Sequence, residues 1–112
     1  MREKTSAFGR AFDQLALGMA QVGVSGRFIR VNARLCEILG YSPEELEGRT
    51  FASITHPDDK KGSKSLLQMM SERKEPAISF EKRYLAKGGA TVWVRVTSSA
   101  VVNEKGEVQY FN

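Results

Sequence analysis

The sequence predicts an α+β protein, and three observations carry that assignment. Residues 6–17 place Phe8, Ala11, Phe12 and Leu15 at spacings of three and four, the signature of an amphipathic helix. From Ala77 onward the apolar period changes to two, as strands require. Between these ends lies a helical middle with sharp boundaries, most visibly Ser42-Pro43-Glu44-Glu45. In chain order this gives one helix, two strands, several short helices, one longer helix and three strands.

Each element has a local cause. The stripe of the first helix stands opposite Arg10, Asp13 and Gln14, and Gly18 follows as a stop. Two β-prone runs, 19–24 and 28–31, flank the Ser25-Gly26 turn and read as a hairpin. Asn32 suits the cap of a helix over Ala33–Leu39, which Gly40 ends; Cys36 lies among its apolar residues as a packing group. At the next start, Ser42 and Glu45 form a capping box with Pro43 in the first turn. A single turn is expected over Phe51–Ile54. Thr55 and Asp58 have capping spacing ahead of a helix reaching about residue 73, with Leu66, Leu67, Met69 and Met70 as its buried face. His56, before Pro57, is read as a structural or capping group. Strands at 77–86 and 91–102, joined at Lys87-Gly88-Gly89, and a last strand from Val108 make an antiparallel meander.

Composition narrows the function. The chain has 112 residues, 41% apolar and 27% charged, which fits one folded domain. No apolar run approaches the roughly 20 residues of a membrane-spanning helix, and the start does not resemble a signal peptide. A soluble, cytoplasmic segment is therefore expected, with no membrane contact of its own. Seventeen Lys and Arg against 13 Asp and Glu leave a net charge of +4. Lys60, Lys61, Lys64, Arg73 and Lys74 would be the footprint of a nucleic-acid binder. Asp58, Asp59, Glu72 and Glu75 interleave with them, so a solvated helix face is the better reading and no nucleic-acid partner is expected. One histidine and one cysteine, in different elements, supply neither a nucleophile–base pair nor a zinc site, so catalysis by this segment is not expected.

Five stretches in order carry a family resemblance. They are Gly26-Arg27-Phe28-Ile29-Arg30-Val31-Asn32-Ala33, Leu39-Gly40-Tyr41-Ser42-Pro43-Glu44-Glu45-Leu46-Glu47-Gly48, His56-Pro57-Asp58-Asp59, Lys87-Gly88-Gly89 with Trp93-Val94, and Asn103-Glu104-Lys105-Gly106. Together they resemble the PAS domain family, sensory domains of bacterial signalling proteins. The resemblance implies a five-stranded antiparallel sheet with short helices and one longer helix across one face. It divides the chain into residues 1–17, a capping or dimerisation helix, and 18–112, the sensory domain, cut before its C-terminal linker.

The resemblance also implies a pocket between the inner sheet face and the long helix. Its candidate lining is Ile38, Leu39, Phe51, Ile54, Ser63, Leu66, Met69, Met70, Ile78, Phe80, Val94 and Val96, a set that equally describes a filled core. Haem-binding relatives supply a histidine from the long helix; none lies between residues 60 and 73, which argues against haem. Photoactive flavin relatives use a cysteine in a motif that Arg34-Leu35-Cys36-Glu37-Ile38 does not match, which argues against covalent flavin. Non-covalent flavin or a small metabolite stays open. Phe8, Ala11, Phe12 and Leu15 are the candidate homodimer contacts, with Trp93 on the same outer sheet face. The implied role is a sensory module, within a histidine kinase or cyclic-dinucleotide enzyme, that controls an output domain of the same chain. A ligand-free dimerisation module is the alternative, and a nucleic-acid-binding domain through the 60–74 cluster the further one.

Overall fold

The computed structural model describes residues 7–14, 16–72 and 77–112. Helix α1 (Ala7–Gln14) precedes the hairpin β1 (Ala20–Gly23) and β2 (Phe28–Val31). Helices α2 (Ala33–Leu39) and α3 (Pro43–Leu46), two 3₁₀ turns (Phe51–Ile54 and Pro57–Asp59) and helix α4 (Lys60–Glu72) form the middle. Strands β3 (Ile78–Leu85), β4 (Thr91–Ser98), β5 (Ala100–Val102) and β6 (Val108–Phe111) close the chain. All pairings are antiparallel, in the orders β2-β1-β6-β5 and β3-β4.

The strand expected to run unbroken over 91–102 is divided at Ser99. Ser99 and Asn112 exchange backbone hydrogen bonds of 3.0 and 2.9 Å, so the ladder with β6 extends just to this break. On its other edge β4 pairs with β3 alone, from Thr91 opposite Leu85 to Ser98 opposite Ile78. Five strand paths are thus realised as six segments.

A bulge explains why β2 escapes strict alternation. Gln21 faces Arg30 and Val22 faces Phe28, leaving Ile29 as the extra residue. Phe28 and Val31, three apart, both reach the core, while Ile29 is exposed. Their core partners are Leu39, Leu46, Ile54 and Tyr84, drawn from α2, α3, the first 3₁₀ turn and β3.

The caps hold the short helices in place. Ser42 Oγ accepts from Glu45 N at 3.2 Å and Glu45 Oε1 accepts from Ser42 N at 2.9 Å, the expected reciprocal box. Glu45 also meets Lys87 Nζ at 2.6 Å, tying α3 to the β3–β4 turn. Asn32 does more than cap α2. Its Oδ1 accepts from Leu35 N and Met19 N, both at 2.9 Å, and its Nδ2 donates to the carbonyls of Phe12 (3.1 Å) and Leu17 (2.8 Å). One fully buried amide therefore fastens α1 and its connection to the sheet.

The start of α4 departs from the expected Thr55 cap. Thr55 is buried, its Oγ1 donates to the Phe51 carbonyl at 2.7 Å, and it bridges to Tyr84 of β3. His56 caps instead, its Nδ1 accepting from Asp58 N at 3.2 Å. A buried hydroxyl needs a partner, and the nearby carbonyl satisfies Thr55. Among the described residues no helix is long and apolar enough to cross a membrane.

Candidate functional site

The β3–β4 ladder sorts the residues of both strands onto two faces. On the inner face Ile78, Phe80, Lys82 and Tyr84 stand opposite Ser98, Val96, Val94 and Val92. On the outer face Ser79, Glu81, Arg83 and Leu85 stand opposite Thr97, Arg95, Trp93 and Thr91. The outer pairs are polar: Ser79 and Thr97 hydroxyls lie 2.9 Å apart, and the Arg83 guanidinium sits 5.0 Å from the Trp93 ring centre. Trp93 is exposed, so it belongs to the outer surface and not to the core.

Lys82 breaks the apolar character of the inner face. It is only 4% exposed, and its Nζ lies 4.8 Å from the Phe51 ring centre and 4.6 Å from that of Tyr84. The two π-faces repay part of the lost hydration, about 2 kcal/mol for a desolvated cation–π contact. Burial pushes the Lys82 amine down to about 8, and the nearby Asp59 charge opposes that shift. Burial likewise pushes the Tyr84 hydroxyl up to about 12.

Phe51 reaches this face because the 3₁₀ turns are pinned to β3. His56 N donates to the Arg83 carbonyl at 2.9 Å, and Thr55 bridges to Tyr84. Asp59 is held by the Arg83 backbone and guanidinium, which keep its carboxyl down at about 2. At the opposite end Glu45 is lowered to about 2, mainly by its hydrogen bond from Lys87.

The expected pocket residues fall into separate groups. Leu39 and Ile54 are wholly buried in the central cluster, with Ile38, Phe51 and Val94 packed against it. Ile78, Phe80 and Val96 share the inner face with Lys82 but are only half-buried. Met69, expected on the buried side of α4, is 48% exposed. Leu67 turns inward there: a Cβ placed on Gly26 would lie 3.6 Å from its Cδ2 and 3.1 Å from Phe51 Cε2. The side chains of Ser63, Leu66 and Met70 lie outside the described residues.

Of the expected dimer stripe, Phe12 is buried within its own chain, beneath the Arg30 guanidinium at 4.7 Å, whereas Ala11 is exposed. Leu15 and the Phe8 side chain lie outside the described residues. Cys36 packs, partly buried, against the core cluster. Among the described residues no three His, Cys, Asp or Glu side chains gather as metal ligands.

Sequence reasoning passed over Lys82, although its signal was legible. Ile78, Phe80 and Tyr84 fix the inward parity of β3, and position 82 shares it. A lysine there is committed to the core side.

The PAS fold model matches residues 28–112, and the chain belongs to that family. It is 36% identical over 109 residues to the probable diguanylate cyclase DgcE of Escherichia coli, a match covering 97% of this chain and 10% of DgcE. It is 24% identical over 98 residues to the sensor histidine kinase TmoS of Ectopseudomonas mendocina, covering 88% of this chain and 10% of TmoS. The fold also matches the crystal structure of a PAS domain from Colwellia psychrerythraea, with a TM-score of 0.82 at 22% identity, covering 93% of this chain and 88% of that one. That structural likeness concerns the fold alone. The chain is a PAS sensory module of the kind found in signal-transduction proteins, and it spans about a tenth of the length of DgcE and of TmoS.

Proposed function

We propose that this module senses a small molecule on its inner sheet face and passes the change to an output domain of a larger signalling protein. The observation that carries the reading is the division of that face. Lys82 and Tyr84 are buried there, while Ile78, Phe80, Val92, Val94 and Val96 stay partly accessible. Ligand sites combine apolar walls with a few placed polar groups, and this face has that composition. The relation to DgcE and TmoS supports a cyclic-dinucleotide enzyme or a histidine kinase as the parent. The module itself regulates; signalling requires two states that the ligand binds with different affinity.

Native mass spectrometry and an absorbance spectrum of freshly purified protein test the reading. A copurifying small molecule supports it. A clean unliganded mass, together with no stabilisation across a metabolite panel, counts against it.

Pairing of subunits is the second reading, favoured by the exposed Trp93 and Ile29 and by the exposed Ala11 on α1. Ala11→Asp should shift a dimer toward monomer in sedimentation. An unchanged mass distribution would remove α1 from the interface.

A further inference from the structure

The one histidine of the chain stands where β3 and the start of α4 meet. We propose that His56 is a pH-sensitive latch. Its neutral imidazole caps the turn that opens α4, and its protonated form exchanges that cap for the Asp58 carboxylate, loosening the start of the helix. The inference goes beyond the ligand-sensing reading above and does not depend on it.

His56 holds the junction through both its backbone and its ring. Its backbone N donates to the Arg83 carbonyl of β3 at 2.9 Å, and its own carbonyl accepts from Asp59 N at 2.9 Å. Its Nδ1 accepts from Asp58 N at 3.2 Å. A ring nitrogen accepts a hydrogen bond only while it carries no proton. The cap therefore belongs to the neutral ring with its proton on Nε2, and histidine is the side chain that ordinarily changes charge between about pH 5 and 8. The two backbone contacts have no such dependence. Protonation thus leaves the turn attached to β3 and removes the cap alone.

The protonated ring has a new partner already in place. Asp58 Oδ2 lies 3.8 Å from His56 Nδ1 and 3.9 Å from Arg83 Nη2. A proton on Nδ1 repels the Asp58 N–H and attracts the carboxylate of the same residue. A charge-assisted hydrogen bond to that oxygen is stronger than a neutral one. Asp58 then bridges the imidazolium and the guanidinium, while its N–H is left without an acceptor. The ring is partly accessible and Asp58 is exposed, so the proton comes directly from solvent.

The charges facing His56 can balance the added one. Its own turn supplies Asp58 and Asp59, and β3 supplies Arg83, which holds Asp59. The preceding turn, Phe51–Ile54, carries no charged side chain, and β4 contributes Trp93 beside the Arg83 guanidinium. Lys60 and Lys61 of α4 are exposed, where solvent and salt screen them. Two acids and one guanidinium sum to −2 + 1 = −1, and an imidazolium brings this cluster to zero. Asp59, held down at about 2, stays ionised and keeps its clamp on Arg83 throughout. The change is therefore directed to α4, whose third residue, Gly62, already weakens its first turn.

NMR titration of the 112-residue chain from about pH 8 to about pH 5 tests the latch, with His56 as its sole histidine. At the upper end the ring should show the Nε2–H tautomer. As the ring resonances titrate, the Asp58 amide should shift with the same midpoint. It should also exchange with solvent about fivefold faster, after correction for pH, as the loss of one hydrogen bond requires. The Lys60, Lys61 and Gly62 amides should follow with that midpoint. His56→Asn keeps a cap acceptor that does not titrate, and in it these amides should hold their positions across the range. A ring that titrates while the Asp58 and α4 amides stay fixed overturns the proposal, as does a transition that survives in His56→Asn. An Nδ1–H tautomer at the upper end, or a ring that does not titrate in this range, overturns it without any variant.

Discussion

Arg83 grips Asp59 with three donors: its backbone N at 2.8 Å and Nε at 3.0 Å on Oδ2, and Nη2 at 2.8 Å on Oδ1. The contact fastens the second 3₁₀ turn, and with it the start of α4, to the outer edge of β3. Because Lys82 precedes Arg83 on the strand, the same clamp positions the turn that carries Asp59 near the Lys82 amine. Opposite parities of adjacent residues give one cation a structural task and the other an inward one.

The clamp predicts a specific acid limb. Asp59 is held near 2, below its unfolded value of about 3.9, so its carboxylate favours the folded state above the unfolded value. That contribution disappears as pH falls from about 4 through 2. Asp59→Asn should be less stable than the unmodified protein at pH 7, and the difference should shrink over this window. Glu45, also lowered to about 2, titrates in both proteins and cancels from the comparison. Denaturant midpoints at pH 7, 4, 3 and 2 check it; a constant difference would assign the loss to shape instead of charge.

Asn32 predicts a break confined to α1. In Asn32→Asp the acceptor for Leu35 and Met19 persists, but the donor to the Phe12 and Leu17 carbonyls is gone. A carboxylate would then face two carbonyl oxygens. Hydrogen exchange should accelerate in Ala7–Gln14 while β3 and β4 stay protected. Asn32→Ala, which removes cap and donors together, should cost about 2–4 kcal/mol. Uniform acceleration across the sheet would show that α1 does not open separately.

Local signals were legible where they act within one turn. The Ser42–Glu45 box, the Asn32 cap and the alternation of β4 each follow from neighbours in sequence. What escaped depends on distant partners. The reach of Asn32 to Phe12 and Leu17, 20 and 15 residues away, has no local signature. The break at Ser99 depends on where β6 pairs, and the Ile29 bulge on the register with β1. Thr55 has capping spacing but is claimed by the core, leaving His56 to cap. Of the candidate site, the apolar walls were readable from periodicity. Lys82 was hidden by the habit of assigning lysine to the surface, although parity placed it inside.

Two glycines with nearly equal dihedral angles should respond differently to alanine. Gly26 has φ +87° and Gly48 φ +88°, so both suffer the left-handed penalty of about 1–2 kcal/mol. At Gly48 nothing lies within 4 Å of the added Cβ. At Gly26 it meets Phe51 Cε2 at 3.1 Å, and Phe51 is one of the rings flanking Lys82. Gly26→Ala should therefore cost about 1 kcal/mol more than Gly48→Ala. Equal thermal shifts for the two variants would show that Phe51 yields freely.

The buried amine itself predicts how stability responds to alkali. Lys82 is lowered from about 10.5 to about 8 by burial, so between these values the unfolded chain binds the proton and the folded chain does not. Stability contributed by this residue is poorest below pH 8 and rises toward pH 10.5. Tyr84, pushed up to about 12 by burial, stays neutral in the folded protein throughout. Lys82→Met replaces the charge by an apolar chain of similar length, and at pH 7 it should be as stable as the parent or more so. The gap between the two should then close by about 2 kcal/mol as pH rises from 8 to 10. Urea unfolding of both proteins at half-unit intervals measures it. A gap that stays constant would mean the amine is protonated alike in both states, which its enclosure by Phe51, Tyr84 and the inner sheet face does not allow.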